Sequence, residues 1–221
     1  MAERARVAIL ISGRGSNMEA LIRAAQSPCY PALIAMVLSN RPEAPGLDIA
    51  ESLGVATVRL DHTSFADKRA FEDALDRQCR TRGIDVIACA GFMRLMSAEF
   101  VEGWRGRMVN IHPSLLPNYP GLNTHERALA DGVRIHGCTV HFVSADVDRG
   151  PIIAQAAVPV HADDTAELLA HRVLAQEHCL YPMTLDWLAS GKTKLDQDRV
   201  IYDFEPEREP APLMVPRAAK R

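Results

Sequence analysis

Apolar runs with no polar alternation recur through the first half of the chain. RVAILIS (6–12) is the first, ALIAMVLS (32–39) repeats it, and VATVRL (55–60), DVIACA (85–90) and RMVNIH (107–112) follow. Short runs of this kind, rich in β-branched residues, predict strands buried on both faces. Helical spacing lies between them. Met18, Leu21, Ile22 and Ala25 form one stripe, and 46–54 predicts a short helix closed by Gly54. A helix over 64–82 places Phe65, Phe71, Leu75 and Cys79 inward, and a short one falls near 97–103. Strand and helix in alternation predict an α/β, doubly wound, mostly parallel sheet. Such sheets bind ligands beyond the carboxyl ends of their strands.

Past residue 121 the pattern changes. THERALADG (124–132) predicts a helix ending at Gly132. CTVHFVSA (138–145) and IIAQAAVPV (152–160) flank DVDRGP, which reads as a hairpin or wide turn, so these strands form an antiparallel extension. A long C-terminal helix over 164–189 carries Leu168, Leu169, Val173, Leu174 and Leu180, and Pro182 predicts a kink or a break in it. Beyond 191 there is one weak strand, RVIYDF, and then a proline-rich charged tail expected to be disordered over 206–221.

Composition narrows the function classes. The 221 residues carry a net charge of -3, so no global basic field directs the chain to nucleic acid or to an anionic membrane. The N-terminal apolar run ends at Gly13, too early to span a bilayer. The five cysteines, at 29, 79, 89, 138 and 179, include no CxxC pair. Free thiols in a reducing compartment are expected, and with them a cytoplasmic protein.

Two stretches carry candidate chemistry. SGRGSN (12–17) joins the first strand to the first helix, and its backbone amides can form an anion cradle at the helix N-terminus. The dinucleotide fingerprint would need glycine where Met18 stands, and the lysine of a P-loop is missing. What remains is a site for one phosphate, with Ser16 and Asn17 adding side-chain bonds, or a plain tight turn in which Ser16 caps the helix.

The second is NIHPSLLPNYPG (110–121). Alternation puts Asn110 and His112 on one face of the last parallel strand, at the ligand edge, with prolines 113, 117 and 120 as a stiff wall behind them. A carboxamide that donates and an imidazole that titrates near neutrality can, with a carboxylate, polarise a carbonyl and handle the proton of an attacking amine. Asp148 in DVDRGP is the candidate carboxylate. On periodicity alone the same residues also read as a near-core histidine and ordinary turn formers. His136 and His141 differ in parity along their strand, and a zinc site is not expected.

The blocks ILISGRGSNMEALI, AGFMRLMS, NIHPSLLPNYPGLNTHERAL, HGCTVHFVSADVDRGPIIAQAAVPV and QEHCLYP occur in one order. Over about residues 6–190 the chain resembles the phosphoribosylglycinamide formyltransferase family, folate-dependent enzymes of purine synthesis. The resemblance implies one catalytic domain over 1–205, with a phosphate-binding half at about 1–110 and a catalytic and folate half at about 85–190. It implies transfer of a formyl group from 10-formyltetrahydrofolate to the amine of glycinamide ribonucleotide, without metal or covalent enzyme intermediate, by a monomer or homodimer. Gly15, Ser16 and Asn17 match the segment that holds the 5-phosphate, and Glu177 a residue near the glycinamide end. Met93, Arg94, Leu95 and Met96 match the folate loop. Lys68 stands where the family often has arginine near the folate tail, keeping the charge without the bidentate fork. Asn110, His112 and Asp148 match the catalytic trio, with Asn110 also facing the folate. Asp148, as a neighbouring anion, should favour the imidazolium form of His112. Asn123 stands where some members have histidine. The alternatives are hydrolysis of the formylfolate, with water replacing the amine, and a non-catalytic folate- or nucleotide-binding protein.

Overall fold

The computed structural model describes residues 3–205 and 215. Strands β1 (Ala5–Ile11), β2 (Ala32–Ser39), β3 (Thr57–Arg59), β4 (Val86–Cys89) and β5 (Met108–His112) are parallel, and β6 (Ile135–Phe142) and β7 (Ile152–Pro159) continue the sheet antiparallel. The order across the seven strands is β3-β2-β1-β4-β5-β6-β7. Helices α1 (Ser16–Ala25), α2 (Pro45–Ser52), α3 (Lys68–Thr81), α4 (Ala98–Gly103), α5 (Thr124–Ala130) and α6 (Ala166–Ala189) lie between and after the strands. This is the doubly wound, mostly parallel α/β arrangement expected from the pattern of runs. Among the described residues no helix is long and apolar enough to cross a membrane.

The missing alternation in β1 has a direct cause. Val7, Ile9 and Ile11 enter one core with α1, α2 and α6, and Ala8 and Leu10 enter a second core with α3 and α4. Each face of the strand is covered by helices, so neither tolerates polar side chains. The same division orients β5: Val109 and Ile111 point into the first core and Met108 into the second. Asn110 and His112 therefore share Met108's face, farther along toward the carboxyl edge.

Helix starts follow local rules. Asp67 accepts from the Ala70 amide at 2.8 Å, Ser97 from Phe100 at 3.2 Å and Thr165 from Leu168 at 3.3 Å. Helices α1, α2 and α5 start without a side-chain cap, and α1 is the one at the candidate anion loop. Its N-cap is Gly15, left-handed at φ 72, and no side chain caps it. Ser16 is the first helical residue and does not cap, so the tight-turn reading of this loop loses its cap.

Helix α6 runs unbroken through Pro182, so of the expected kink or break the break does not occur. Tyr181, Thr184 and Leu185 beside the proline are buried, and the Tyr30 hydroxyl donates to the Pro182 carbonyl at 2.7 Å. Packing on both sides of the proline outweighs its local preference. The expected strand near 199–204 is β9 (Arg199–Tyr202), paired with β8 (Thr193–Asp196), whose single apolar residue gave no sequence signal. The hairpin docks through Trp187, Tyr202 and Phe204, whose rings contact one another. The expected disorder of 206–221 concerns residues outside the described ones, Val215 apart.

A carboxylate fixes the entry to α6. Asp164 accepts from two nitrogens of Arg172, each at 2.7 Å, and from the His161 amide at 2.8 Å. Its side chain is 2% exposed, and the Arg172 guanidinium holds its pKa down at about 2. A group with a depressed folded-state pKa contributes stability that is present above the unfolded value and lost as pH falls toward the folded one. Asp164→Ala should therefore lower unfolding free energy near pH 7 by about 2 kcal/mol. In urea titrations the gap to the parent should narrow as pH drops from near 4 toward 2; a gap that stays constant over that range would contradict the assignment.

Candidate active site

The carboxyl edge of β5 meets the β6–β7 turn. His112 Nδ1 lies 3.3 Å from Asp148 Oδ2, and its Nε2–H donates to the Tyr119 carbonyl at 2.9 Å. Both ring nitrogens thus face acceptors, and only the doubly protonated imidazolium satisfies both. The ring is 5% exposed, so a charge there depends on the adjacent carboxylate. Asp148 Oδ2 also accepts from the Gly121 amide at 2.8 Å. Its backbone is left-handed at φ 53, a conformation aspartate tolerates better than most residues.

The turn that carries Asp148 admits no side chain two positions later. A Cβ on Gly150 would lie 1.7 Å from the Phe142 carbonyl oxygen. The proline-rich segment is fastened to β6. The Thr139 hydroxyl donates to the Ser114 carbonyl at 2.6 Å and accepts from the Leu116 amide at 3.1 Å and the Gln155 side chain at 2.9 Å. The Leu116–Pro117 peptide is cis. Tyr119 O and Gly121 N, which contact the His112–Asp148 pair, lie just beyond this clamp. Asn123 is left-handed at φ 56 at the start of α5, and Gly121 supplies the backbone anchor for the Asp148 carboxylate.

Parity along the strand against His136 gives His141 no role, and its cross-strand partner does. Antiparallel register sets it directly opposite Asn110. Its Nδ1–H donates to the Phe142 carbonyl at 2.9 Å, which leaves Nε2 bare to accept from Asn110 Nδ2 at 3.3 Å. Burial lowers its pKa, although Asp148 Oδ1 stands only 3.7 Å away. A neutral His141 fixes the orientation of the Asn110 carboxamide. Pairing 107–112 against 138–145 in the sequence would have exposed it.

Beside this edge the 12–17 loop opens a cavity of about 310 Å³, also lined by Arg41, Ala90, Gly91 and Met93. Gly46, at the start of α2, backs the loop. Its amide donates to the Gly13 carbonyl at 3.1 Å, and a Cβ there would lie 2.6 Å from Ile11 Cδ1. The uncapped amides of α1 and the cations of Arg14 and Arg41 give the cavity an anion-binding character. Arg41 has no motif around it and was not foreseen.

Asn17 Nδ2 donates to Glu177 Oε2 at 2.6 Å, joining α1 to α6. Burial raises the pKa of Glu177, and the Asn17 bond opposes the rise. Asn17 Oδ1 is buried without a partner. Gly15, Ser16, Asn17 and Glu177 are therefore one cluster.

The 91–96 segment forms the other rim. Met93 and Leu95 are 62% and 67% exposed, a large apolar area turned to solvent. Met96 packs on the second core, and the Arg94 guanidinium lies 5.1 Å from the Phe71 ring centre. The buried Glu72 accepts from the Ser97 amide at 2.7 Å, with Lys68 Nζ 3.9 Å from the same oxygen. Lys68 and the 93–96 segment thus lie on one side of the site, linked through Glu72, which the sequence reading missed.

A family model described as formyl transferase matches residues 5–185. The chain is 42% identical over 197 residues to the phosphoribosylglycinamide formyltransferase of Escherichia coli (strain K12), a match covering 89% of this chain and 93% of that protein. It is 46% identical over 199 residues to the trifunctional purine biosynthetic protein adenosine-3 of Homo sapiens, of whose length it spans 20%. A crystal structure of phosphoribosylglycinamide formyltransferase from Brucella melitensis is 54% identical, with a TM-score of 0.82 over 86% of this chain and 97% of that one. The chain belongs to the formyl transferase family, among the phosphoribosylglycinamide formyltransferases.

Proposed function

We propose that the chain transfers the formyl group of 10-formyltetrahydrofolate to the glycinamide amine of 5-phosphoribosylglycinamide, yielding formylglycinamide ribonucleotide and tetrahydrofolate in purine biosynthesis. The observation that carries the reading is the Asn110–His112–Asp148 arrangement at the sheet edge, next to a cavity that begins at an uncapped helix N-terminus. The Escherichia coli relative, matched over nearly its whole length, bears the name of this activity.

In this reading the amides of Gly15, Ser16 and Asn17 hold the 5-phosphate, aided by Arg41. Asn17 and Glu177 fix the glycinamide end. The residues present also fit a flat folate. Met93 and Leu95 offer unspent apolar surface, and Lys68 and Arg94 offer cations for an acidic tail. When bound, the folate supplies an activated formyl carbon. Asn110 uses its second amide hydrogen to polarise the formyl oxygen, since the first is held by His141. His112 Nε2–H turns from the Tyr119 carbonyl to the same oxygen as negative charge develops there. Asp148 balances the imidazolium throughout. The attacking amine must lose a proton and the departing folate nitrogen must gain one, and this largely buried acid–base pair is suited to exchange both directly or through water. Holding the two reactants in line supplies much of the acceleration.

Formyl transfer should be followed by absorbance with glycinamide ribonucleotide present and then omitted. Tetrahydrofolate should form only with the ribonucleotide; release without it would mark a hydrolase, and silence in both a binding protein. Asp148→Asn should keep ligand binding and lower kcat by about 10²–10⁴-fold. Turnover near the parent's would remove Asp148 from the chemistry. Gly15→Val places a Cβ 3.2 Å from Met18 Cε on a left-handed backbone. It should raise KM for the ribonucleotide by about tenfold or more, with little change for the folate. A rise for the folate alone would refute the phosphate assignment.

A further inference from the structure

We infer that Ser12 is a positioning residue that couples the two substrate sites, so that ribonucleotide bound in the 12–17 cradle tightens folate binding at the 91–96 loop. The inference rests on the formyl-transfer reading above and gives a second role to the first residue of the 12–17 cradle. Ser12 is 4% exposed and stands between the end of β1 and the first cradle glycine. Its N–H donates to the Gly91 carbonyl at 3.1 Å. Its hydroxyl accepts from the Met93 N–H at 2.8 Å and donates to Asn40 Oδ1 at 2.5 Å.

Among the described residues, the hydrogen bonds that tie 91–96 to the rest of the fold both end on Ser12. Besides these bonds, Phe92 packs on the second core, and the residues around it are loosely held. Gly91 is left-handed at φ 78 with nothing within 4 Å of its Cβ position, and Met93 and Leu95 are exposed. The far end is held separately by Glu72 through Ser97. The serine hydroxyl is itself fixed by Asn40, which is 2% exposed and precedes Arg41 on the cavity wall.

An anion seated on the amides that follow Ser12 restricts the turn to which Ser12 belongs. The Met93 amide then has fewer orientations to lose when folate binds. Ordering shared in this way appears as positive cooperativity without a large displacement. By linkage, folate tightens the ribonucleotide by the same factor.

The test is calorimetry on the full chain, with tetrahydrofolate titrated alone and then with saturating glycinamide ribonucleotide. This pair cannot react, because the formyl group is missing. In the parent the ribonucleotide should tighten tetrahydrofolate by about fivefold, the scale of one neutral hydrogen bond. Ser12→Ala should reduce the tightening, taken as the ratio of tetrahydrofolate affinities with and without ribonucleotide, to less than about twofold, whatever its effect on the ribonucleotide alone. Equal weakening of tetrahydrofolate with and without ribonucleotide would show a purely structural role and overturn the coupling, as would a parent with no tightening. Turnover by the same parent preparation separates the two readings: no formyl transfer removes the activity, whereas transfer without tightening removes only the coupling. If circular dichroism shows that Ser12→Ala has not folded, Asn40→Ala removes the acceptor and leaves the hydroxyl. That variant should lose part of the tightening, and full tightening in it would overturn the inference.

Discussion

The candidate site depends on one largely buried carboxylate held from two sides. Asp148 receives the Gly121 amide on the same oxygen that faces His112, and the opposite ring nitrogen meets the Tyr119 carbonyl. A half-satisfied version of this group would be costly, because an unpaired charge in so dry a position has no water to replace the missing partner. The surrounding backbone is shaped to prevent that. Tyr119 and Asp148 both take left-handed conformations, Gly150 lies against the Phe142 carbonyl, and Thr139 clamps the proline-rich segment to the sheet. Prolines stiffen the chain, but the Thr139 bonds decide where the stiff segment sits.

The two histidines at the edge differ because their partners differ. His112 has an acceptor at each nitrogen, so its protonated form is the one that fits. His141 has a carbonyl at Nδ1 and an amide donor at Nε2, so its neutral form fits instead. The Asp148 carboxylate lies within 4 Å of both rings. Hydrogen-bond geometry, more than proximity to the anion, sets the two rings apart.

Legibility in the sequence tracked the range of the interactions involved. The parallel strands were visible because helices cover the sheet on both sides, which leaves an unbroken apolar run in the chain. Asn110 and His112 were visible because a strand's two-residue period is local. Asp148 stood out through its turn, and the family resemblance joined it to them. His141, Arg41, Glu72 and Ser12 left no such mark. His141 acts through antiparallel register, Arg41 through the approach of α2 to the cradle, and Glu72 and Ser12 by accepting from backbone amides far away in sequence. Pro182 allowed a break that the helix does not make. Its local preference was real, and the buried face of α6 overrode it.

By itself the sequence determined the alternating elements, the face on which the candidate acid–base pair lies, and the loop free to bind an anion. Each follows from periodicity or from a residue's own conformational limits, which operate within a few positions of the chain. Tertiary structure alone decided that the carboxylate reaches the imidazole, that a second histidine steadies the carboxamide, and that a single serine touches both loops. Those contacts join segments as many as 81 residues apart, and only the packed sheet brings their atoms within hydrogen-bonding distance.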